Sequence, residues 1–268
     1  MALAADSVQP HAFITAWQTD AVAIAGLVLE VLIAVGYLAA VARARSRGRH
    51  RPAGSTAAFM AGLIVLVLSL QSGFASYDDD VAWVHNLQHV LVMSIAPPLL
   101  ALGAPVLLCL QVMPTKGARR LMAFLHHPAI RVLCGPKASL HVPLDYYAVM
   151  ALYLFTPADQ WGARYAAVHV GTHVVFLVCG LLFWVPIVGL DATGWRPSYR
   201  SRLAMVAVGV PVSAAIAAVD GSWSLFAATE VAALLGIGLV VARRGYRIAR
   251  SPIRRVRPLA AAASPVRP

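Results

Sequence analysis

The chain has 268 residues, of which 60% are hydrophobic and only 12% are charged, and its mean hydropathy is +0.73. Soluble domains contain about 25% charged residues, so this composition indicates an integral membrane protein. A net charge of +11 with a pI near 10.3 would suggest nucleic-acid binding in a soluble chain. In this chain the basic residues lie between apolar segments, which indicates membrane topology and an anionic leaflet, with no nucleic acid as partner.

Apolar segments of membrane-spanning length recur along the chain. A helix needs about 20 apolar residues to cross the hydrocarbon core. The sequence therefore predicts an all-α fold, an integral membrane bundle of seven transmembrane helices. The predicted spans are 20–41, 57–75, 83–112, 138–157, 163–190, 202–219 and 222–242.

The basic residues predict the orientation of these spans. Every Lys and Arg except Arg164 falls in alternate loops or in the C-terminal tail. Because cytoplasmic loops carry an excess of Lys and Arg, we expect the N-terminus outside and the C-terminus in the cytoplasm. The basic groups are 43–51, 116–137, 196–202 and 243–267.

The same patterns predict the domain organisation. Residues 1–250 form a single seven-helix transmembrane domain, and residues 251–268 form a basic, disordered cytoplasmic tail. The sequence contains no Walker loop, no GxGxxG and no HExxH, so we expect no enzyme and no catalytic residues. Cys109, Cys134 and Cys179 each lie in or beside an apolar segment and are interpreted as small apolar residues.

The third predicted span contains candidate metal ligands. Residues 83–105 read WVHNLQHVLVMSIAPPLLALGAP. His85, His89 and Met93 are spaced by four, so on a helix they lie on one face and form a stripe of soft donors. The Pro-Pro pair that follows removes backbone donors and predicts a kink or an interruption of the helix.

The fifth predicted span repeats the histidine spacing. Residues 165–191 read YAAVHVGTHVVFLVCGLLFWVPIVGLD, with His169 and His173 four apart. Both pairs are predicted in the outer part of the membrane, at similar depth. They could offer up to four imidazoles to one copper or zinc ion, and the thioether of Met93 favours Cu(I).

Other roles for these histidines stay open. An intramembrane histidine can hydrogen-bond between helices or relay protons. Haem is less favoured as a cofactor, because two neighbouring histidines on one helix cannot be opposite axial ligands of one iron. His126 and His127 are interpreted as a solvated turn, and His141 as an interfacial residue.

Three acids, Glu30, Asp145 and Glu230, fall inside predicted spans. A bare carboxylate at the bilayer centre costs about 2.5–3.5 kcal/mol on the insertion scale, so each must pair, be protonated or face a cavity. They could form a proton path or counter-charges to a cation. Equally, they could be neutral hydrogen-bonding groups.

The two histidine regions resemble a known family. The His-x2-Gln-His motif running into Ala-Pro-Pro and Leu-Gly-Ala-Pro resembles the signature of the CtaG-type cytochrome c oxidase assembly factors, which are polytopic bacterial membrane proteins. HVGTHVVFLVCGLLFWVPIVGLD is similar to that family's second region, and the loop His126-His127-Pro128 also fits. The resemblance covers residues 57–200. Residues 229–241, TEVAALLGIGLVV, depart from the family's pattern, so we expect no site contribution from the last helix.

The resemblance implies a role in copper delivery to haem–copper oxidase or in its assembly. It implies multi-pass insertion in the bacterial plasma membrane, with oxidase subunits, outer-face copper chaperones and the lipid bilayer as partners. It makes His85, His89, His169 and His173 the candidate ligands. The rival functions are a copper or proton transporter or channel, which needs polar residues from face to face, and a haem-binding electron carrier.

Overall fold

The computed structural model describes residues 15–77, 81–134, 138–191, 197–219, 231–232 and 234–236. Within these ranges the regular secondary structure is helical. The predicted span 222–242 lies almost wholly outside the described residues. Glu230 and the tail from Ser251 also lie outside the described residues.

The helices of the described residues follow one another along the chain with short connections. They are α1 (Ala21–Ser46), α2 (Ala53–Gln71), α3 (Gly73–Ser76), α4 (Ala82–Val90), a π-helical turn (Leu91–Ile95), α5 (Ala96–Leu102), α6 (Pro105–Val112), α7 (Thr115–Leu125), α8 (Pro128–Cys134), α9 (Ala138–Phe155), α10 (Ala158–Arg164), α11 (Ala166–Val188) and α12 (Tyr199–Val219).

Four helical segments in the described part of the chain are long and apolar enough to cross a membrane, by length and composition. They are Ala21–Ser46, Ala53–Ser76, Trp83–Val112 and Ala166–Val188. The predicted spans 138–157 and 202–219 correspond to the helices α9 and α12. The membrane character of the protein is thus supported, while the count of seven spans and their orientation stay predictions.

The outward face of α1 shows why this bundle needs an apolar solvent. Leu29, Leu32 and Val35 are 58%, 63% and 59% exposed. Contiguous exposed leucine and valine side chains on one long helix are unfavourable in water and favourable against lipid tails. The surface of α1 therefore agrees with the composition.

The long third segment is not one continuous α-helix. A π-helical turn separates α4 from α5, and the N–H of Ala96 donates to the carbonyl of Leu91, five residues earlier. The carbonyl of Met93 would accept from residue 97 in an α-helix or from residue 98 in a π-helix. Both are prolines without an N–H, so neither pattern can continue. The predicted interruption is confirmed, and it begins before the Pro-Pro pair.

The helix α11 packs against this interruption at Gly180, which is buried. A Cβ atom at Gly180 would collide with the Met93 carbonyl oxygen and would lie 2.6 Å from Cγ of Pro97. Only glycine lets the two backbones approach this closely. Gly180 thus fixes the separation between α11 and the segment that follows the first histidine pair.

Further contacts complete the bundle. The helix α2 packs against α1 and α5, and α9 packs against α11 and α12. Tyr37 stacks on Phe59 with ring centroids 3.8 Å apart, and its hydroxyl donates to the Gly103 carbonyl at 2.9 Å. The largest fully buried side chains are Trp184, Tyr146, Phe176, Phe183, Met93, Leu108, Met150, Ile187 and Leu234, with His89 and Gln88.

A buried carboxylate joins the two histidine-bearing segments at their far ends. Asp191, 3% exposed, lies just beyond α11. It accepts from the N–H groups of Val106 at 3.2 Å and Leu107 at 2.6 Å, in the first turn of α6. A carboxylate at a helix N-terminus accepts hydrogen bonds from N–H groups that have no partner within the helix. Its negative charge also interacts favourably with the positive end of the helix dipole.

We expect Gly180→Ala to destabilise the protein by about 1–3 kcal/mol, because the added methyl group meets backbone and a proline ring that cannot move aside. Gly171→Ala is the matched control, since Gly171 is on the same helix and a Cβ there has no neighbour within 4 Å. Thermal unfolding in detergent measures both. Equal stability of the two variants would contradict the close approach at Gly180.

Candidate metal centre

The two histidine pairs occupy equivalent positions on their helices. His85 is in the first turn of α4, and His169 is in the first turn of α11. His89 and His173 each follow one turn later. Because both helices begin at the same end of the bundle, the pairs form two levels, with His85 and His169 nearer the helix starts.

The structure brings all four imidazoles together. Ring centroids are 4.4 Å apart for His85 and His89 and 4.5 Å apart for His169 and His173. Between the helices, His85 and His169 are 6.3 Å apart, and His89 and His173 are 5.3 Å apart. The deeper pair is buried, with His89 1% and His173 8% exposed.

A tyrosine from a third helix completes this group. The Tyr153 hydroxyl of α9 lies 2.8 Å from Nε2 of His85 and 3.0 Å from Nε2 of His89. The two Nε2 atoms are 2.9 Å apart. Each neutral imidazole nitrogen offers either one proton or one lone pair, whereas a phenol both donates and accepts. The Tyr153 hydroxyl can therefore donate a hydrogen bond to one histidine and accept a hydrogen bond from the other.

The second ring nitrogen of His89, Nδ1, has a different environment from Nε2. The Nδ1 atom is buried and has no hydrogen-bond partner among the described residues. The rings of Tyr153 and Phe176 pack against the imidazole, with centroids at 4.8 and 4.9 Å. Burying a polar atom without a partner costs free energy, so this nitrogen is an unsatisfied polar group within the site.

The donor chemistry suits a soft or borderline cation, and the described geometry is that of a hydrogen-bonded group. Two nitrogens bound to one ion at about 2.0–2.1 Å with tetrahedral angles lie about 3.3 Å apart. The Nε2 atoms of His85 and His89 are closer, at 2.9 Å. In the described part of the chain no group of three or more His, Cys, Asp or Glu side chains is arranged to hold an ion.

Met93, the predicted thioether donor, lies one turn below His89 in the π-helical turn. It is fully buried and belongs to the hydrophobic core with Phe176 and Trp184. Its role as a thioether ligand stays a prediction from the sequence spacing.

Glu30 and Asp145, the two predicted intramembrane acids that lie among the described residues, have polar partners. With the Gln71 amide oriented so that its nitrogen donates, it bonds Glu30 Oε2 at 3.3 Å and the Val67 carbonyl at 2.8 Å. The Asp145 carboxylate lies 2.7 Å from Nδ1 of His141 on the same helix, near the surface. Both acids thus have partners other than the four candidate histidines.

A family match accounts for both histidine regions. Residues 35–231 match the family model of the cytochrome c oxidase caa3 assembly factors. The chain belongs to this family. The matched range extends beyond residues 57–200, over which the motifs carry the resemblance, and it includes the end of α1, the whole of α12 and all five predicted ligands.

Its curated relatives are uncharacterised mycobacterial proteins. Proteins of Mycobacterium bovis and Mycobacterium tuberculosis are each 31% identical over 214 residues, and one of Mycobacterium leprae is 27% identical over 218 residues. Each match covers 75% of this chain and 31% of the relative, so the chain spans less than a third of their length. No solved structure matches the chain.

Sequence reasoning missed Tyr153, and it assigned no role to Gln88, the glutamine of the His-x2-Gln-His motif. Tyr153 carries no motif, although Tyr146, Met150 and Tyr153 recur at helical spacing and are all buried on one face of α9. Gln88 is fully buried beside His89, and its Nε2 donates to the Ser69 carbonyl at 2.9 Å, towards α2. Gln88 thereby anchors the helix that presents His85 and His89.

Burial predicts the order in which diethyl pyrocarbonate modifies the histidines at neutral pH. His126 and His127 are exposed and should react first, whereas His89 should react slowest because reagent cannot reach it without opening the bundle. Peptide mass spectrometry of the detergent-solubilised protein follows each site. Modification of His89 as fast as His126 would contradict the closed arrangement.

Proposed function

We propose that the chain is a membrane assembly factor that holds copper as cargo through its paired histidines and aids copper insertion into a haem–copper oxidase. The observation that supports this most is the meeting of four imidazoles from α4 and α11 in one group. The family to which the chain belongs assembles the caa3 oxidase. A haem–copper oxidase must acquire copper ions during its assembly.

The ligands in this proposal are His85, His89, His169 and His173, with Met93 as the thioether donor. Imidazole binds a metal only when neutral, so acidification should release the ion. Thioether and imidazole donors together favour Cu(I) over harder cations. No covalent step is required of the protein, so the proposal is of a carrier and not of an enzyme.

The two levels of histidines offer a physical route for transfer. His85 and His169 lie nearer the starts of their helices and are partly exposed, whereas His89 and His173 are buried. Exchange of ligands between neighbouring imidazoles would move the ion between the levels without releasing it to water. In the predicted orientation, the shallow level faces the outer surface of a bacterial plasma membrane, where oxidase subunits or copper chaperones would exchange it.

A transporter or channel is the second candidate, and the packing beneath the site argues against it. Below the histidines, Ser94 and Tyr146 form a polar pair whose hydroxyls are 2.7 Å apart. Beyond this pair the described interior is filled by Phe183, Trp184 and Ile187, each fully buried. An ion that passes through would have to displace these packed side chains, so a holding site fits better than a conduit.

A haem-binding carrier fits less well. The rings of Tyr153 and Phe176 pack edge-on against His89, at 4.8 and 4.9 Å, and the Tyr153 hydroxyl lies 3.0 Å from its Nε2 atom, so a porphyrin coordinated there would have to displace Tyr153. A Soret band in the purified protein would support haem binding despite this packing.

The decisive test is anaerobic titration of the purified protein with Cu(I). We expect His89→Ala/His173→Ala to weaken Cu(I) binding by more than about 100-fold. Loss of an outer-shell partner of a metal ligand lowers the affinity by about 10–100-fold, and loss of two ligands should lower it further. The matched control is His126→Ala/His127→Ala, which removes two exposed histidines outside the site and should leave the affinity unchanged. Wild-type affinity in the His89/His173 variant would contradict the proposal.

A further inference from the structure

An imidazole that binds a metal uses one ring nitrogen, and its other ring N–H almost always donates to a fixed acceptor in the protein. That second contact sets which nitrogen carries the proton and how the ring is oriented. The hydrogen bonds of a metal-free histidine therefore indicate which nitrogen is prepared for an ion.

His89 has one satisfied and one unsatisfied nitrogen. Its Nε2 lies within hydrogen-bond distance of the Tyr153 hydroxyl, at 3.0 Å, and of His85 Nε2, at 2.9 Å. Its Nδ1 is buried and has no hydrogen-bond partner within the described ranges. The two nitrogens thus have opposite environments, although both are shielded from solvent.

The number of available protons decides the direction of these hydrogen bonds. The Tyr153 hydroxyl has one proton to donate, so it can donate to only one of the two Nε2 atoms. If Tyr153 donated to His89, the His89 proton would sit on Nδ1 as a buried N–H without an acceptor. Buried donors without partners are rarer in proteins than buried acceptors without partners. The favoured arrangement is His89 Nε2–H donating to Tyr153, and Tyr153 donating to His85 Nε2.

We propose that Tyr153 is a positioning residue, which holds His89 with the proton on Nε2 so that Nδ1 is the nitrogen that binds Cu(I). This inference rests on the proposed function for the identity of the ion. It adds a third helix, α9, to a site that the histidine spacing places on α4 and α11. In the metal-free protein, His85 Nε2 then accepts the hydrogen bond that the Tyr153 hydroxyl donates.

The position of Tyr153 in the bundle suits this task. It is 6% exposed, and its ring packs edge-on against Phe176 with centroids 5.3 Å apart. The phenol is held on both sides, by the histidines at its hydroxyl and by α11 at its ring. A fixed phenol fixes the plane of each imidazole that it contacts.

The same helix supplies a matched control. Tyr146, two turns away on α9, is also buried and hydrogen-bonded, with its hydroxyl 2.7 Å from Ser94 Oγ. Tyr146→Phe and Tyr153→Phe each remove one buried hydroxyl from the same face of α9. Only the second removes a hydroxyl from the histidines.

The first measurement uses the metal-free protein with ¹⁵N-labelled histidine, assigned by comparison with His89→Ala. NMR of the wild type should show His89 protonated at Nε2 and unprotonated at Nδ1. Tyr153→Phe should convert His89 to a mixture of tautomers, and Tyr146→Phe should leave its signals unchanged. A wild-type His89 protonated at Nδ1, or signals unmoved by Tyr153→Phe, would overturn the proposal.

The second measurement adds Cu(I). We expect the His89 Nδ1 resonance to shift on loading, and Tyr153→Phe to weaken binding by about 10–100-fold while Tyr146→Phe changes it by less than about twofold. Copper binding with the shift at Nε2 would overturn the role of Tyr153 and leave the proposed function standing. Absence of copper binding in the wild type would overturn the proposed function, and the metal-free spectra would still decide the tautomer.

Discussion

The approach of Gly180 to the Met93 carbonyl is the contact on which the rest of the site depends. Two prolines prevent the helix from using that carbonyl, and a glycine on the neighbouring helix lets the backbones come together over it. His173 and Gly180 are seven residues apart, so both lie on the same face of α11. The contact at Gly180 therefore also sets where His173 stands relative to His89.

The polar groups of the site are costly to bury, and the hydrogen bonds of Tyr153 reduce that cost. With their Nε2 atoms 2.9 Å apart, the two imidazoles must take opposite roles, one protonated at Nε2 and the other carrying a lone pair there. A single hydroxyl that donates to one and accepts from the other is compatible with these opposite roles. Such a network fixes the orientation of both rings, and a fixed imidazole loses less freedom when it binds a metal.

Local spacing could be predicted from the sequence, whereas contacts between distant segments could not. The histidine pairs follow from residues four apart on a helix, and the interruption at residues 91–95 follows from the Pro-Pro pair. Tyr153, in contrast, reaches His85 from 68 residues away, and the partner of Glu30 is an amide on another helix. No periodicity in one sequence reports which faces of two helices meet. The number of spans also needs more than apolar composition, since four helical segments of the described residues are long and apolar enough to cross a membrane.

Asp191 gives the bundle a second point of attachment, with a consequence for how a partner can reach the site. The carboxylate holds the end of α11 to the start of α6, at the opposite end of α11 from His169. The helix α11 is therefore held at two points. Gly180 packs against the Met93 carbonyl in its C-terminal half, and Asp191 accepts hydrogen bonds from α6 just beyond its end. The ends of α4 and α11 that carry the histidines lie away from both of these attachments, so movement there can open the space between the imidazoles. A docking protein that contacts only those ends could open the site without disturbing the rest of the fold.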